Sequence, residues 1–516
     1  MATLRRILRT GPGAPRSLFA ATCGPGALVA LAALVAHGPS MAFGFAELDD
    51  RDLIVDDQAF LARWSSVWRA FTRAYMHTVD PQHRYYRPLV VVSYVIDAQW
   101  SGTRPFGYHA TNVLVHALAS VLCFALFLRL DFGRLVACLG ALVFAVHPWL
   151  VCAVAWIPGR NDSLLAVFVF AAWLAFLSDA RRPRCGARIG HLTLFGLALL
   201  TKETAAVLPL VFGTHLVMME GRRARLVRQP RALVSVVVGW AGCLGARFGA
   251  WGVGGSGGLP LRAMAGELGR HARLLPAGFG EIIFPIRPSL IGVVDDAPVG
   301  LGLLAMALVL LLTWSLSGVR RRVVLFGALA FALWSLPALA VPGTLVCHHR
   351  LYLPACGVLI TVAEIVRAVS VERRVVAAFG GVTVLAACAV ALGTASMFRD
   401  GRAFARASVD AAPRAPLAHL CMGRMYQARG DGERALSEYQ TAIDLGAIDV
   451  VHNNMAVIYM ASARWAEAER EIREELAVDP RYARAFANLA IVLRHEGRTD
   501  DARAADGVAR GLERDE

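Results

Sequence analysis

A helix that crosses a bilayer needs about 20 mostly apolar residues, and this chain approaches that requirement again and again. Eleven apolar segments can be marked, near residues 18–45, 107–128, 135–157, 163–178, 191–201, 203–219, 232–251, 299–317, 323–341, 353–369 and 375–397. Of the 516 residues 56% are hydrophobic and only 18% charged, more oil than a soluble enzyme of average make-up carries. An ordinary soluble enzyme is therefore excluded. The expected fold class is all-α, a polytopic membrane domain of about 11 spans followed by a soluble helical region.

The net charge of +14 would suit a nucleic-acid binder if the basic residues lay along one polar domain. They do not. After residue 398, 17 arginines stand against 20 acids, which leaves 36 basic against 19 acidic residues in 1–398. The positive excess belongs to the oily part, so the expected partner is the lipid bilayer and not nucleic acid. With the N-terminus inside and the run 191–219 broken at Lys202 and Glu203, 21 of those 36 fall in cytoplasmic connections, where cationic loops are retained. They include Arg5, Arg6, Arg9 and Arg16 before the first segment, Arg222 and Arg223 after the sixth, and Arg320, Arg321 and Arg322 after the eighth. The start of the chain reads as a retained signal anchor. Lys202 is the sole lysine, a bias that a GC-rich bacterial genome produces. The expected location is a bacterial inner membrane, crossed many times, with a cytoplasmic N-terminus. The ten cysteines include no CxxC pair and no zinc-like spacing; they read as small buried hydrophobes.

An odd number of spans puts three pieces outside: a first loop of about 46–106, a segment of about 252–298, and everything from 399 to 516. The last piece changes character. Met422, Gly423, Tyr426, Ala435 and Tyr439 recur 33 residues later as Met455, Ala456, Tyr459, Ala468 and Ile472, and again as Leu489, Ala490, Leu493 and Ala502, with Asp506 breaking the last position. That period, with small residues where paired helices touch, is the pattern of tetratricopeptide repeats. Two domains are expected, 1–398 in the membrane and 399–516 as an extracytoplasmic α-solenoid of about three repeats.

The first loop is longer than loops without a task usually are, and it opens on Asp49 and Asp50 directly after the first span. A carboxylate there can take a proton from an attacking hydroxyl, which is general base catalysis. Asp56 and Asp57 form a second pair that competes for the role. His109, Asn112 and His116 share one helix face, where they either bridge helices or line a wet cavity. Arg160, then Lys202 with Glu203, then His348, His349, Arg350 and Tyr352 all map to the outer side. Cations beside a carboxylate base suit a lipid-linked phosphate, which they hold and whose leaving charge they offset. No metal-ligand spacing is present; a divalent ion stays open.

Read in order, the Asp-Asp pair, YYRPL, FGYHATNVLVH, HPWLVCAVAWIPGRND, LLTKETAAVLPL and RLYLP, ahead of a terminal repeat array, resemble the bacterial relatives of the transmembrane and tetratricopeptide repeat O-mannosyltransferases. The resemblance covers nearly the whole chain and implies a membrane glycosyltransferase of the GT-C fold. It further implies a polyprenyl-phosphate-linked sugar as donor, inversion at the anomeric carbon, and an acceptor protein recruited by the repeats. Carried onto these motifs, it makes Asp49 or Asp50 the base and Arg87, Arg160, Lys202 and Arg350 the donor phosphate ligands. Tyr86, His109, His147, Asp162, Glu203, His349 and Tyr352 complete the candidate site. Two further function classes fit parts of the pattern, an O-antigen-type oligosaccharide ligase or polymerase and a non-catalytic membrane-anchored repeat scaffold.

Overall fold

The computed structural model describes residues 18–46, 49–75, 85–220, 225–251, 261–286, 288–343, 345–446 and 450–515. Arg5, Arg6, Arg9, Arg16, Glu47, Arg222 and Arg223 lie outside them. Helices make up almost everything described. The one β pairing among the described residues joins Ile291–Val293 to Leu345–Cys347 in antiparallel register, Gly292 opposite Val346.

Among the described residues seven helices have the length and apolarity of a membrane span: Gly24–Ala42, Pro105–Arg129, Ile157–Arg181, Pro230–Gly249, Arg321–Leu339, His348–Ala368 and Arg373–Phe398. Arg134–Val146 and Pro148–Ala155, bent by 47°, add an eighth if taken together. Cys185–Thr201 and Val299–Ser315 are apolar but shorter. The region 203–219 is a chain of short turns, Glu203–Val207, Leu208–His215 and Leu216–Glu220. Seven or eight helices thus meet the span criterion unaided, against eleven expected. The expected break at Lys202 is present, with extended backbone (φ −157°, ψ 139°) ending the preceding helix.

The first loop contains a helix that the apolar pattern did not announce, Pro88–Ser101. Its buried face, Val90, Val91, Tyr94 and Val95, packs on Leu53, Ile54, Phe60 and Leu61, so the loop carries its own small core. Fourteen residues interrupted by Ser93, Asp97 and Gln99 are too few and too polar to read as a span.

Charge separates the two ends of the bundle. At one end Arg181 donates to the carbonyl of Arg129 at 3.0 Å and to Glu220 at 2.7 Å. Arg320 lies 5.3 Å over the Phe132 ring and pairs with Glu364 at 2.6 Å, where Arg367 also binds. The connections near 130, 182, 220, 319 and 368 therefore gather at one end. Those near 46, 150–162, 202, 281–296 and 347 gather at the other, as the alternation of arginine requires. Helices Leu274–Ile283 and Val299–Ser315 touch backbone to backbone: a Cβ on Gly302 would run into the carbonyl of Pro276. Small residues permit that approach between apolar helices.

Beyond residue 400 come Gly401–Ala411 and three helix pairs: Pro416–Gln427 with Gly432–Asp444, Val451–Ala461 with Trp465–Val478, and Ala483–His495 with Thr499–Asp515. The recurring small residues Ala435, Ala456, Ala468, Ala490 and Ala502 are buried. Gly423 is pressed against the Tyr439 ring, which is why this position stays small. The array does not hang free. Phe398, Phe404, Ala418, Cys421, Met422 and Met425 share one apolar core with Ala46, Val151, Cys152, Trp156, Leu290 and Ile291 from the connections at that second end.

Candidate functional site

The site begins where the first span hands over to the loop. The carbonyl of Arg399 accepts from the Gly44 amide at 2.9 Å, which fixes the start of the loop against the end of the last span. Two residues of the acidic pair then part company. Asp50 is fully buried, and its Oδ2 accepts from the Ala46 amide at 2.7 Å; it holds the turn. Asp49 is only partly covered. Burial, reinforced by the neighbouring charge of Asp52 and opposed by Arg424, raises its carboxyl to about 6. A base of that strength is mostly ionised at neutral pH yet keeps appreciable proton affinity. The rival pair is engaged elsewhere: Asp57 with Arg73 at 3.1 Å and Asp56 with Arg484 of the array at 3.5 Å.

The loop's own Arg87 and three cations from other segments gather here. Arg87, just before helix Pro88–Ser101, makes a two-point pair with Glu203 (Nε to Oε2 3.2 Å, the terminal nitrogen to Oε1 2.6 Å) and lies 4.7 Å over the Tyr85 ring. Lys202 binds Asp162 at 2.7 Å. Arg247 donates to the carbonyls of Leu199 and Tyr86 and lies 4.9 Å over the Tyr86 ring. Arg350 has no acidic partner within ion-pair distance among the described residues and is half-buried. Four cations against the carboxylates of Asp49, Asp162 and Glu203 leave this cluster net positive, a setting for a phosphate group. The Cys347 thiol, raised chiefly by burial, also feels Arg350, Asp49, Lys202 and Asp162, so Asp49 and two of the cations lie within electrostatic reach of one side chain.

Several expected site residues turn out to brace the fold. Arg160 is fully buried; it pairs with Asp97 at 2.6 Å and donates to Asn112, Ser93 and the Tyr108 carbonyl. Its described donors are thus taken by protein partners that tie three helices together. His109 donates to the Gly44 carbonyl at 3.2 Å, and Asn112 to those of Val154 and Trp156. His116 sits 2.6 Å from the Tyr352 hydroxyl and 2.9 Å from the Ala145 carbonyl. The helix-bridging alternative thus holds for this face, and Tyr352 belongs to it. His147 donates to the Ile282 carbonyl at 2.8 Å and accepts from the Trp149 amide, a joint between segments. Tyr86, whose hydroxyl reaches the Phe71 carbonyl at 3.2 Å, supports Arg247. Asp162 and His349 remain at the site, 3.8 Å apart.

Arg247 and Trp156 went unmarked in the sequence. For Arg247, a lone arginine inside the apolar run 232–251 was the available signal, since an intramembrane charge is functional by default; Trp156, whose ring lies 5.3 Å from that of His349, carried no signal that set it apart from other core tryptophans. Arg424 and Arg484 could not be found at all, because nothing in a repeat sequence says which way the array turns. Beside the site, across the turn His348–Leu351, lies a cavity of about 430 Å³ bordered by Trp149, Glu281, His348 and Arg350. Among the described residues no three His, Cys, Asp or Glu side chains group as metal ligands do.

Residues 99–244 match the family described as dolichyl-phosphate-mannose-protein mannosyltransferase, and residues 438–506 match that of the coatomer epsilon subunit. Human protein O-mannosyl-transferase TMTC1 is 30% identical over 220 residues, covering 40% of this chain and 24% of that protein. The Drosophila melanogaster protein O-mannosyl-transferase Tmtc1 is 34% identical over 131 residues, 25% of this chain and 15% of its own length. Mouse protein O-mannosyl-transferase TMTC3 is 37% identical over 97 residues, 19% of this chain and 10% of its own. The chain thus spans a quarter or less of the length of these curated relatives. Over residues 99–244, which carry Arg160 and Lys202, the chain is similar to the dolichyl-phosphate-mannose-protein mannosyltransferase family, and its listed relatives are TMTC protein O-mannosyl-transferases.

Proposed function

We propose that the chain is a membrane glycosyltransferase that moves a sugar, mannose by the names its relatives carry, from a polyprenyl-phosphate donor to Ser or Thr hydroxyls of envelope proteins. The reaction takes place at the extracytoplasmic face of a bacterial inner membrane, with the N-terminus cytoplasmic and residues 399–516 outside. The membrane part, 1–398, supplies the chemistry. The helix pairs of 399–516, taken as tetratricopeptide repeats, recruit the acceptor.

The observation that carries this reading is Asp49: a partly covered carboxyl raised to about 6, near Arg350 and Lys202. In the proposed step Asp49 accepts the hydroxyl proton as the acceptor oxygen bonds to the anomeric carbon. The bond from that carbon to the phosphate oxygen breaks on the opposite face, its electron pair leaving with the phosphate, and the configuration inverts. Arg87, Lys202, Arg247 and Arg350 offset the charge that builds on the departing group. The test is transfer by purified full-length protein given a polyprenyl-phosphate-mannose donor and Ser/Thr peptides. Asp49→Asn is expected to lower the rate by about 100-fold or more while the variant stays folded; undiminished transfer overturns the assignment.

A further inference from the structure

The hydrogen-bonding inventory around the site is unevenly filled. Arg160, Asn112 and His116, all fully buried, are engaged at every polar end described above. A few residues away the opposite holds. Asp162 gives Oδ1 to Lys202, but its Oδ2 is buried with no hydrogen-bond partner. His349 Nε2 faces that oxygen across 3.8 Å, beyond hydrogen-bond reach, and its Nδ1 is likewise buried and unpartnered. Trp156, with its ring centroid 5.3 Å from that of His349, has a buried and unpartnered Nε1. Native interiors pair nearly all such atoms, so a group left over in a native fold asks for a missing partner.

These atoms come from two distant parts of the chain, the turn that opens helix Arg160–Arg181 and the turn His348–Leu351, and they meet beside the cations. What they want is specific. Asp162 Oδ2 accepts only; Trp156 Nε1 donates only; the imidazole does one at each nitrogen. A phosphate would satisfy Trp156 but be repelled by Asp162. A neutral, polyhydroxylated ring satisfies all three: a hydroxyl set beside the 3.8 Å gap can donate to Asp162 and accept from His349, and the Trp156 N–H can donate to a second oxygen. His349, whose side chain is 13% exposed against 7% for Asp162, is the more open of the two.

We infer that Trp156, Asp162 and His349 form the wall that recognises the hydroxyls of the donor's hexose ring, an assignment that rests on the glycosyltransferase reading above. The phosphate then lies towards Arg87, Arg247 and Arg350, and Lys202 stands between the two parts, holding Asp162 by Oδ1 so that Oδ2 is left to the sugar.

The test is binding of two families of ligand to purified full-length protein in detergent by calorimetry: bare polyprenyl phosphate, and the same lipid carrying mannose, glucose or galactose. At least one sugar-bearing lipid is expected to bind about tenfold or more tightly than the bare one. His349→Gln is expected to shrink that advantage to within about threefold while leaving the bare lipid's affinity unchanged. Equal binding of bare and all sugar-bearing lipids overturns the sugar wall but leaves the phosphate site standing. Binding of neither overturns the donor reading itself. Equal weakening of both by His349→Gln shows a merely structural role and also overturns the wall. Where His349→Gln does not fold, single deoxy forms of the preferred donor are measured on the unaltered chain. One of them is expected to lose about tenfold, and a uniform series overturns the inference.

Discussion

At the scale of the residue, the acidic pair shows how two identical side chains acquire different work. Asp50 is consumed by the Ala46 amide, whereas Asp49 is raised to about 6 by burial and by Asp52. The protonated carboxyl cannot act as a base, so transfer is expected to rise with pH through about 6 and level off above it, as a pH profile of the rate at saturating donor would show. The same shift has a stability consequence of fixed sign. Between the unperturbed value of 3.8 and about 6 the folded chain holds the proton that the unfolded chain has released, so stability falls as pH rises through that window and is flat above it. Asp49→Asn is therefore expected to melt higher than the unaltered chain at pH 8, with the gain vanishing near pH 4. A variant that loses activity and gains stability at neutral pH is the signature of a strained catalytic group. None of this division could be read from two adjacent aspartates; it depends on which one the Ala46 amide happens to face.

At the scale of the element, ion pairs at the arginine-rich end tie helices that apolar packing alone would leave free to slide. Glu364, whose side chain is fully buried, is bound by Arg320 before one helix and by Arg367 one turn along its own. Glu364→Ala leaves two guanidinium groups that are only about one-third exposed without a counter-charge. Removing one partner of a buried pair costs about 3–5 kcal/mol; the partial exposure of both arginines puts the expected loss at the lower end, about 3 kcal/mol, measurable by unfolding in detergent. The helices themselves were largely legible, because an apolar run with arginine at alternate ends admits few other states. Pro88–Ser101 was not, since its helical face is buried by the loop's own core and not by a length of hydrocarbon. The region 203–219 misled for the complementary reason: its composition is apolar throughout, yet Lys202, Glu203 and Pro209 break the helix into short turns.

At the scale of the whole molecule, the array is seated on the connections around Ala46, Val151 and Ile291 through Phe398, Phe404, Met422 and their neighbours, and it presents Arg424 and Arg484 to the acidic loop. Phe404, 1% exposed, is central to that seat. Phe404→Asp removes a buried aromatic and buries a charge, at a cost of about 3–5 kcal/mol. Faster hydrogen exchange in 401–427, with protection of the Pro105–Arg129 helix unchanged, is the expected result; equal exchange in both chains would show that the seat contributes nothing. The order of apolar runs, the helix-pair period of the C-terminal region and the acidic opening of the first loop all follow from local pattern, because burying an apolar face is a decision each segment makes nearly alone. Which cations remain available is another matter. Arg160 and Lys202 look alike in sequence, yet one is spent on Asp97 and the other stands beside an unsatisfied carboxylate oxygen. That distinction arises when distant segments pack, since a charge in a low-dielectric interior takes its role from whatever neighbour the fold brings within hydrogen-bond reach.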